Sequence, residues 1–78
     1  MAVSAYILIQ TEVGTAASVA EQVRELAGVV TADDVTGPYD VIVLAEAASI
    51  DDLGRLVAGR VQMITGITRT ITCPVVHL

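Results

Sequence analysis

Two short segments carry polar residues whose types and spacing could bind a small molecule. One is a turn made of Gly37, Pro38, Tyr39 and Asp40, and the other is a row of alternating threonines, Thr68, Thr70 and Thr72. Backbone amides beside a glycine can donate to a carboxylate, a side-chain carboxylate can accept from an ammonium group, and a hydroxyl can do both. Together they offer donors and acceptors for a small polar molecule.

Both segments also have a purely structural interpretation. Glycine, proline and aspartate are ordinary turn residues, so Asp40 could cap backbone amides while Tyr39 forms a hydrophobic lid. Threonine is favoured in strands because its branched side chain suits a pleated surface. The residues alone leave the binding and the structural interpretations open.

The other reactive side chains point less clearly to a site. Arg69 could form a bidentate bond to a carboxylate, or a salt bridge between subunits to Glu46, Asp33 or Asp34. Cys73 is expected to be a small buried hydrophobic residue, since no acidic or basic partner is near it in sequence.

The chain offers no second group for catalysis or metal binding beside its single histidine. A general base or a metal site at His77 would need companions, and the adjacent carboxylates at 33–34 and 51–52 are interpreted as solvated charges. We therefore expect no catalytic residue, no metal and no cofactor.

Length and composition indicate a single domain, residues 1–78, that depends on partners. So short a chain buries a modest share of its surface, and its one cysteine excludes an internal disulfide. Yet 54% of the residues are hydrophobic and the mean hydropathy is +0.71. We expect part of this apolar surface to be hidden in an oligomer.

Charge and hydropathy exclude two classes of partner. Four basic residues against nine acidic ones give a net charge of -5, which repels a phosphate backbone, so direct binding to nucleic acid is not expected. The longest apolar stretches, 6–9 and 41–45, are far shorter than the roughly 20 residues that cross a bilayer. With no basic residue at the start to suggest a signal peptide, we expect a cytoplasmic protein.

The periodicity predicts the order strand, helix, strand, strand, helix, strand. The strands are expected at 3–11, 29–36, 40–46 and 67–73, and the helices at 16–27 and 50–60. Gly28 ends the first helix, Ser49 caps the second, and Pro74 is expected to interrupt the last strand's pairing. This is the split βαβ unit, with both helices on one face of a four-stranded antiparallel sheet.

The first and third strands are apolar on both faces, although helices can cover only one face. In the first strand, one set is Val3, Ala5, Ile7 and Ile9, and the other is Tyr6 and Leu8. Burying a few hundred Å² of the bare face at about 25 cal/mol per Å² contributes several kcal/mol. An obligate dimer with the two sheets facing each other is predicted.

Two motifs give the chain a resemblance to a known family. The run VTGPYDVIV at 35–43 resembles the TGxYD hairpin of Lrp/AsnC regulators, and ITGITRTIT at 64–72 resembles their last core strand. The spacing between them, filled by one capped helix, also matches. The resemblance extends over about 5–78 and implies the effector-binding domain of that family, known as the RAM domain.

The resemblance implies a fold and a function. The expected fold is α+β, a ferredoxin-like βαββαβ unit that forms a dimeric α/β barrel. The family's dimers assemble further, often into octamers, and bind amino acids at contacts between dimers. The turn 37–40 is implied to contact the effector, and Thr70 and Thr72 of a neighbouring subunit to complete the pocket.

The same resemblance implies a role linked to transcription regulation, not catalysis. Family members usually carry an N-terminal helix-turn-helix, whereas in this sequence the first strand begins almost at Met1. The expectation is a stand-alone effector-binding and oligomerisation module, without its own DNA-binding domain, whose partners could include full-length Lrp/AsnC regulators.

Two alternatives remain open at this stage. Dimeric ferredoxin-like proteins also include small monooxygenases and isomerases, but these need pockets rich in aromatic residues or histidine, and the chain offers Tyr6, Tyr39 and His77. The other alternative is a structural assembly partner that binds no small ligand.

Overall fold

The computed structural model describes residues 2–76 and has the predicted order of elements. They are strand β1 (Val3–Thr11), helix α1 (Ala16–Arg24), strands β2 (Val29–Asp34) and β3 (Val41–Ala47), helix α2 (Ile50–Gly59), a 3-10 turn (Val61–Met63) and strand β4 (Ile67–Pro74). His77, considered above, lies outside the described residues. None of the helices within 2–76 is long and apolar enough to cross a membrane.

The four strands form one antiparallel sheet in the order β2-β3-β1-β4. Both helices contribute buried residues to a single core with the inner positions of β1 and β3. The face they cover, which we call the helix face, is formed by Ala5, Ile7, Ile9, Val41, Val43 and Ala45, all of them fully buried. The predicted α+β, ferredoxin-like βαββαβ architecture is confirmed.

Helix α1 is shorter than predicted, because its last turn tightens. Glu25 N–H donates to Gln22 O and Leu26 N–H to Val23 O, which are i to i-3 bonds rather than α-helical ones. Gly28 then reverses the chain with φ +95, and a Cβ at this position would lie 3.0 Å from Glu46 O. The apolar pattern up to Ala27 therefore continues into a turn, not into another turn of α-helix.

Helix α2 begins at the predicted cap. The Ser49 side chain accepts from Asp52 N–H at 3.1 Å, and Asp51 and Asp52 lie in the positively polarised first turn. Leu53 and Val57 are buried against the sheet. The cap and the apolar stripe together place α2 over β3.

The prediction that Pro74 interrupts the last strand was wrong. Pro74 lies opposite Ala5 in the ladder, and Val75 N–H then donates to Ser4 O at 2.8 Å. Proline is tolerated because β4 is an edge strand, where one side of the backbone needs no strand partner.

Candidate functional site

The face of the sheet opposite the helices is apolar at its centre. The register places Tyr6 between Leu44 and Cys73, and Leu8 between Ile42 and Ile71. These six residues are called the open face. Because both helices pack on the helix face, residues 2–76 leave the open face without cover, and Tyr6 is 47% exposed.

Cys73 differs from its prediction. It was expected to be buried, but it is exposed in the subunit, since it lies on the open face of an edge strand opposite Tyr6. It can be buried only by something that packs on that face.

Charged residues lie around the open face on both edges of the sheet. Asp33, on edge strand β2, lies opposite Ile42 of β3. Arg69, on edge strand β4, lies opposite Gln10 of β1. These edge strands are separated by β3 and β1, so about 14 Å divides them at roughly 4.8 Å per strand. A salt bridge between Arg69 and Asp33 would therefore have to join two subunits.

The turn 37–40 is fixed to the end of β1 by several hydrogen bonds. Asp40 Oδ2 accepts from Thr11 N–H at 2.8 Å, and Asp40 N–H donates to Ile9 O at 2.9 Å. The Gln10 side chain adds a bond from Nε2 to Pro38 O at 3.0 Å. At least one Asp40 oxygen therefore has a structural role, as the turn interpretation predicted.

Thr11 needs this carboxylate because its N–H faces the β3 side of β1, where the β1–β3 ladder ends at the Ile9–Val41 pair. The β1–β4 register shifts between Gln10 and Thr11, which breaks the regular ladder at that point. Asp40 satisfies the Thr11 amide on one side, and Glu12 N–H donates to Gly66 O at 2.8 Å on the other. The turn 37–40 and the start of β4 therefore flank the same end of β1.

The three threonines do not form one row. Thr70 and Thr72 lie opposite Ile9 and Ile7, on the helix-face side of the edge strand, whereas Thr68 falls in the bulge and has no ladder partner. The one-residue shift at the bulge interrupts the alternation that the sequence predicts.

Thr68 and Thr70 share a shallow groove that also contains an unpredicted residue. The groove has a volume of about 230 Å³, and its lining residues are Gln62, Ile67, Thr68, Arg69 and Thr70. Gln62 Nε2 donates to Thr70 Oγ1 at 3.1 Å. Because Thr70 accepts this bond, its own hydrogen is free to donate to a carboxylate.

Thr72 lies apart from the turn, in a different and mostly apolar groove. This groove, of about 270 Å³ between α2 and β4, is lined by Ile50, Leu53, Gly54, Val57, Ala58, Thr72 and Pro74. Within one subunit the structure thus brings together the turn 37–40, Thr68 and Thr70 around the end of β1, and it leaves Thr72 outside that group.

Sequence reasoning missed Gln10, Thr11 and Gln62. Gln10 is a polar residue that ends the apolar alternation of β1, and this could have marked it as a side chain serving the adjacent turn. Gln62 lies in the 3-10 turn after α2, where no motif distinguishes it. Within residues 2–76 no group of three or more His, Cys, Asp or Glu is arranged to hold a metal ion.

Comparison with known proteins agrees with the fold and the motifs. Residues 4–77 match the Lrp/AsnC ligand binding domain family. An uncharacterized HTH-type transcriptional regulator of Pyrococcus horikoshii is 31% identical over 72 residues, covering 88% of this chain and 48% of the relative. The chain thus spans about half the length of the curated relatives it matches.

Solved structures show the same architecture. A Thermus thermophilus protein is 26% identical with a TM-score of 0.92, covering 97% of this chain and 95% of that one. A Neisseria meningitidis transcriptional regulator solved with L-Met is 18% identical, with a TM-score of 0.84 over 96% of this chain and 50% of that one, and it supports the fold alone. The matched family model, which spans nearly all of the fold described above, shows that the chain belongs to the Lrp/AsnC ligand binding domain family.

Proposed function

We propose that residues 1–78 form one effector-binding and assembly domain linked to transcription regulation. The domain dimerises through the open face and binds an amino acid near the end of β1, beside the turn 37–40. The observation that carries this proposal is the open face itself: apolar residues occupy its centre, and the subunit's own helices cover only the other side.

Dimerisation follows from the cost of leaving that face in water. Burial of a few hundred Å² at about 25 cal/mol per Å² contributes several kcal/mol, which is comparable with the whole stability of a small domain. A second copy offers the same apolar centre, and packing of two open faces gives the dimeric α/β barrel. It also buries Tyr6 and Cys73, which are exposed in the single subunit.

The effector site combines groups that suit the two ends of an amino acid. Thr70, whose hydroxyl hydrogen is left free by Gln62, and the Arg69 guanidinium can donate to the carboxylate, as can the amides beside Gly37. Asp40 uses Oδ2 for Thr11 N–H, and its carboxylate retains acceptor capacity for an ammonium group.

A neighbouring subunit completes the pocket. Thr72 lies in a groove apart from the turn of its own subunit, so we place it beside the turn of another one. Assembly of dimers into a larger ring, such as an octamer, would bring these surfaces together. The structural neighbour solved with L-Met makes methionine a suitable first effector to test.

The acidic balance of the chain argues against a direct role in DNA binding. Its net charge of -5 disfavours contact with phosphates, so the link to transcription would run through a helix-turn-helix carried elsewhere, for example by a full-length Lrp/AsnC regulator assembled with this domain. This makes the domain a ligand-responsive part of a regulator and not an enzyme.

Sedimentation equilibrium and thermal unfolding test the two halves of the proposal. We expect a dimer or larger particle at all measurable concentrations, and a rise in melting temperature with at least one standard amino acid at millimolar concentration. A well-folded 8.1 kDa monomer would refute the dimer. An unchanged melting temperature with every amino acid would refute the effector role and favour a purely structural partner.

A further inference from the structure

Strand β2 is an edge of the sheet, and its outward-facing backbone groups follow from its register. Val35 N–H donates to Asp40 O at 2.9 Å, so Val35 faces β3. Because inward and outward backbone groups alternate in an antiparallel ladder, Asp33 also faces β3, whereas Ala32 and Asp34 turn their N–H and C=O groups outward. Such a row is a template for pairing with another strand.

Arg24, the last residue of α1, occupies part of this row. Its Nε donates to Ala32 O at 2.7 Å, and its Nη2 lies 3.9 Å from Asp34 Oδ1. The guanidinium thus occupies the outward carbonyl of Ala32, at the middle of β2. It lies in the position that a second strand would need in order to pair with this edge. Its side chain is 46% exposed, so the contact is a surface cover and not part of the core.

The two edges of the sheet differ in how they resist pairing. On β4, Pro74 lacks an N–H group and the bulge at Thr68 bends the strand. On β2 the register shifts between Val29 and Thr31, and the rest of the strand, Thr31–Asp34, is regular. Arg24 covers the centre of that regular part.

We infer that Arg24 is an autoinhibitory contact that keeps the β2 edge from pairing with the β2 edge of a second copy. The antiparallel pair fits the charges of the strand. With Ala32 opposite its own copy, Asp33 lies opposite Thr31 and Asp34 falls opposite Val30, the residue at the register shift, so the carboxylates of the two copies are held apart. Val30 is 52% exposed and offers apolar surface to such a partner.

Substitution Arg24→Met tests the inference, because methionine keeps much of the aliphatic stem and removes the donors. Sedimentation velocity across a range of concentrations compares it with the wild type. We expect association beyond the wild-type particle to strengthen by about tenfold or more, as loss of a hydrogen bond from a charged group predicts. Arg55→Met is the matched control, since Arg55 is an exposed arginine paired with Asp52 on α2.

A double variant identifies the surface. Arg24→Met combined with Val30→Glu places a carboxylate opposite Asp34 in the β2–β2 pair, and it should return the particle to wild-type size. Arg24→Leu, which also lacks a donor, provides the same comparison if circular dichroism shows that Arg24→Met is not folded.

Two results would overturn the inference. One is a folded Arg24 variant that has the same size distribution as the wild type. The other is larger assembly that persists in the double variant, since that assembly would not use the β2 edge. The reference in each case is the wild-type particle, so the outcome does not depend on whether that particle is a dimer.

Discussion

The two faces of the sheet contain similar aliphatic residues but have different surroundings. On the helix face, Ile7 and Val43 are opposite each other and fully buried beneath α1 and α2. One residue along, Leu8 and Ile42 are opposite each other on the open face and keep part of their surface in water. A strand that is apolar on both faces therefore has two surfaces to bury. The subunit's own helices bury the helix face, and the open face needs another partner.

The strongest effect is expected from a change on the covered side. Ile7→Ala removes a fully buried side chain and leaves a cavity beneath both helices, so we expect a loss of about 2–5 kcal/mol in the free energy of unfolding. Urea denaturation measures it. The loss should be present at every protein concentration, and a loss that disappears at high concentration would show that Ile7 acts through association.

The open side is tested at the next residue. Leu8→Glu places a charge between Ile42 and Ile71, and it should weaken dimerisation by about 3 kcal/mol, or roughly a hundredfold. Sedimentation equilibrium, in which the wild type stays associated, should show this variant dissociating into monomers as it is diluted. Val30→Glu, which adds the same charge at an exposed β2 position, is the control and should leave the dimer intact. Equal effects from both changes would mean that net charge, not the open face, controls association.

Substitutions at Asp40 test the contact between the turn 37–40 and the end of β1. Asp40→Ala removes the acceptor for Thr11 N–H and should destabilise the fold by about 1–3 kcal/mol, whereas Asp40→Asn keeps an acceptor oxygen and should lose less. Chemical denaturation ranks the two variants. If they are equally stable but both fail to bind an amino acid, the carboxylate serves the ligand and not the turn.

A weaker effect is expected at a helix cap on the covered side. Ser49→Ala removes the acceptor for Asp52 N–H and should lower stability by about 1 kcal/mol. The size of the particle should stay unchanged, because Ser49 lies on neither sheet face. Unfolding curves and light scattering on the same sample check both statements, and a change in oligomeric state would link α2 to the interface.

Sequence patterns predicted the fold well because they report local physics. The two-sided strands β1 and β3, the serine cap of α2 and the glycine after α1 each depend on a few neighbouring residues. The end of α1 and the pairing of Pro74 were missed, since both depend on tertiary contacts: the tightened turn before Gly28, and the edge position of β4.

The candidate site was less predictable than the fold. The role of Asp40 follows from the end of the β1–β3 ladder beside Thr11, and the unpaired position of Thr68 follows from the bulge between Gln10 and Thr11. A bulge is set by the register between strands from opposite ends of the chain, and no local motif encodes it. The residues of the turn 37–40 were enough to locate it in the sequence. They did not show that the Asp40 carboxylate accepts from the Thr11 backbone amide.

The bond from Val75 N–H to Ser4 O has a practical consequence for labelling. It brings the beginning and the end of the described chain side by side, at the opposite end of β1 from Thr11. With about 3.3 Å per residue, roughly 20 Å separates them from the turn 37–40. A dye attached at Ala2 or Val76, the outermost described residues, would therefore lie at the opposite end of β1 from that turn.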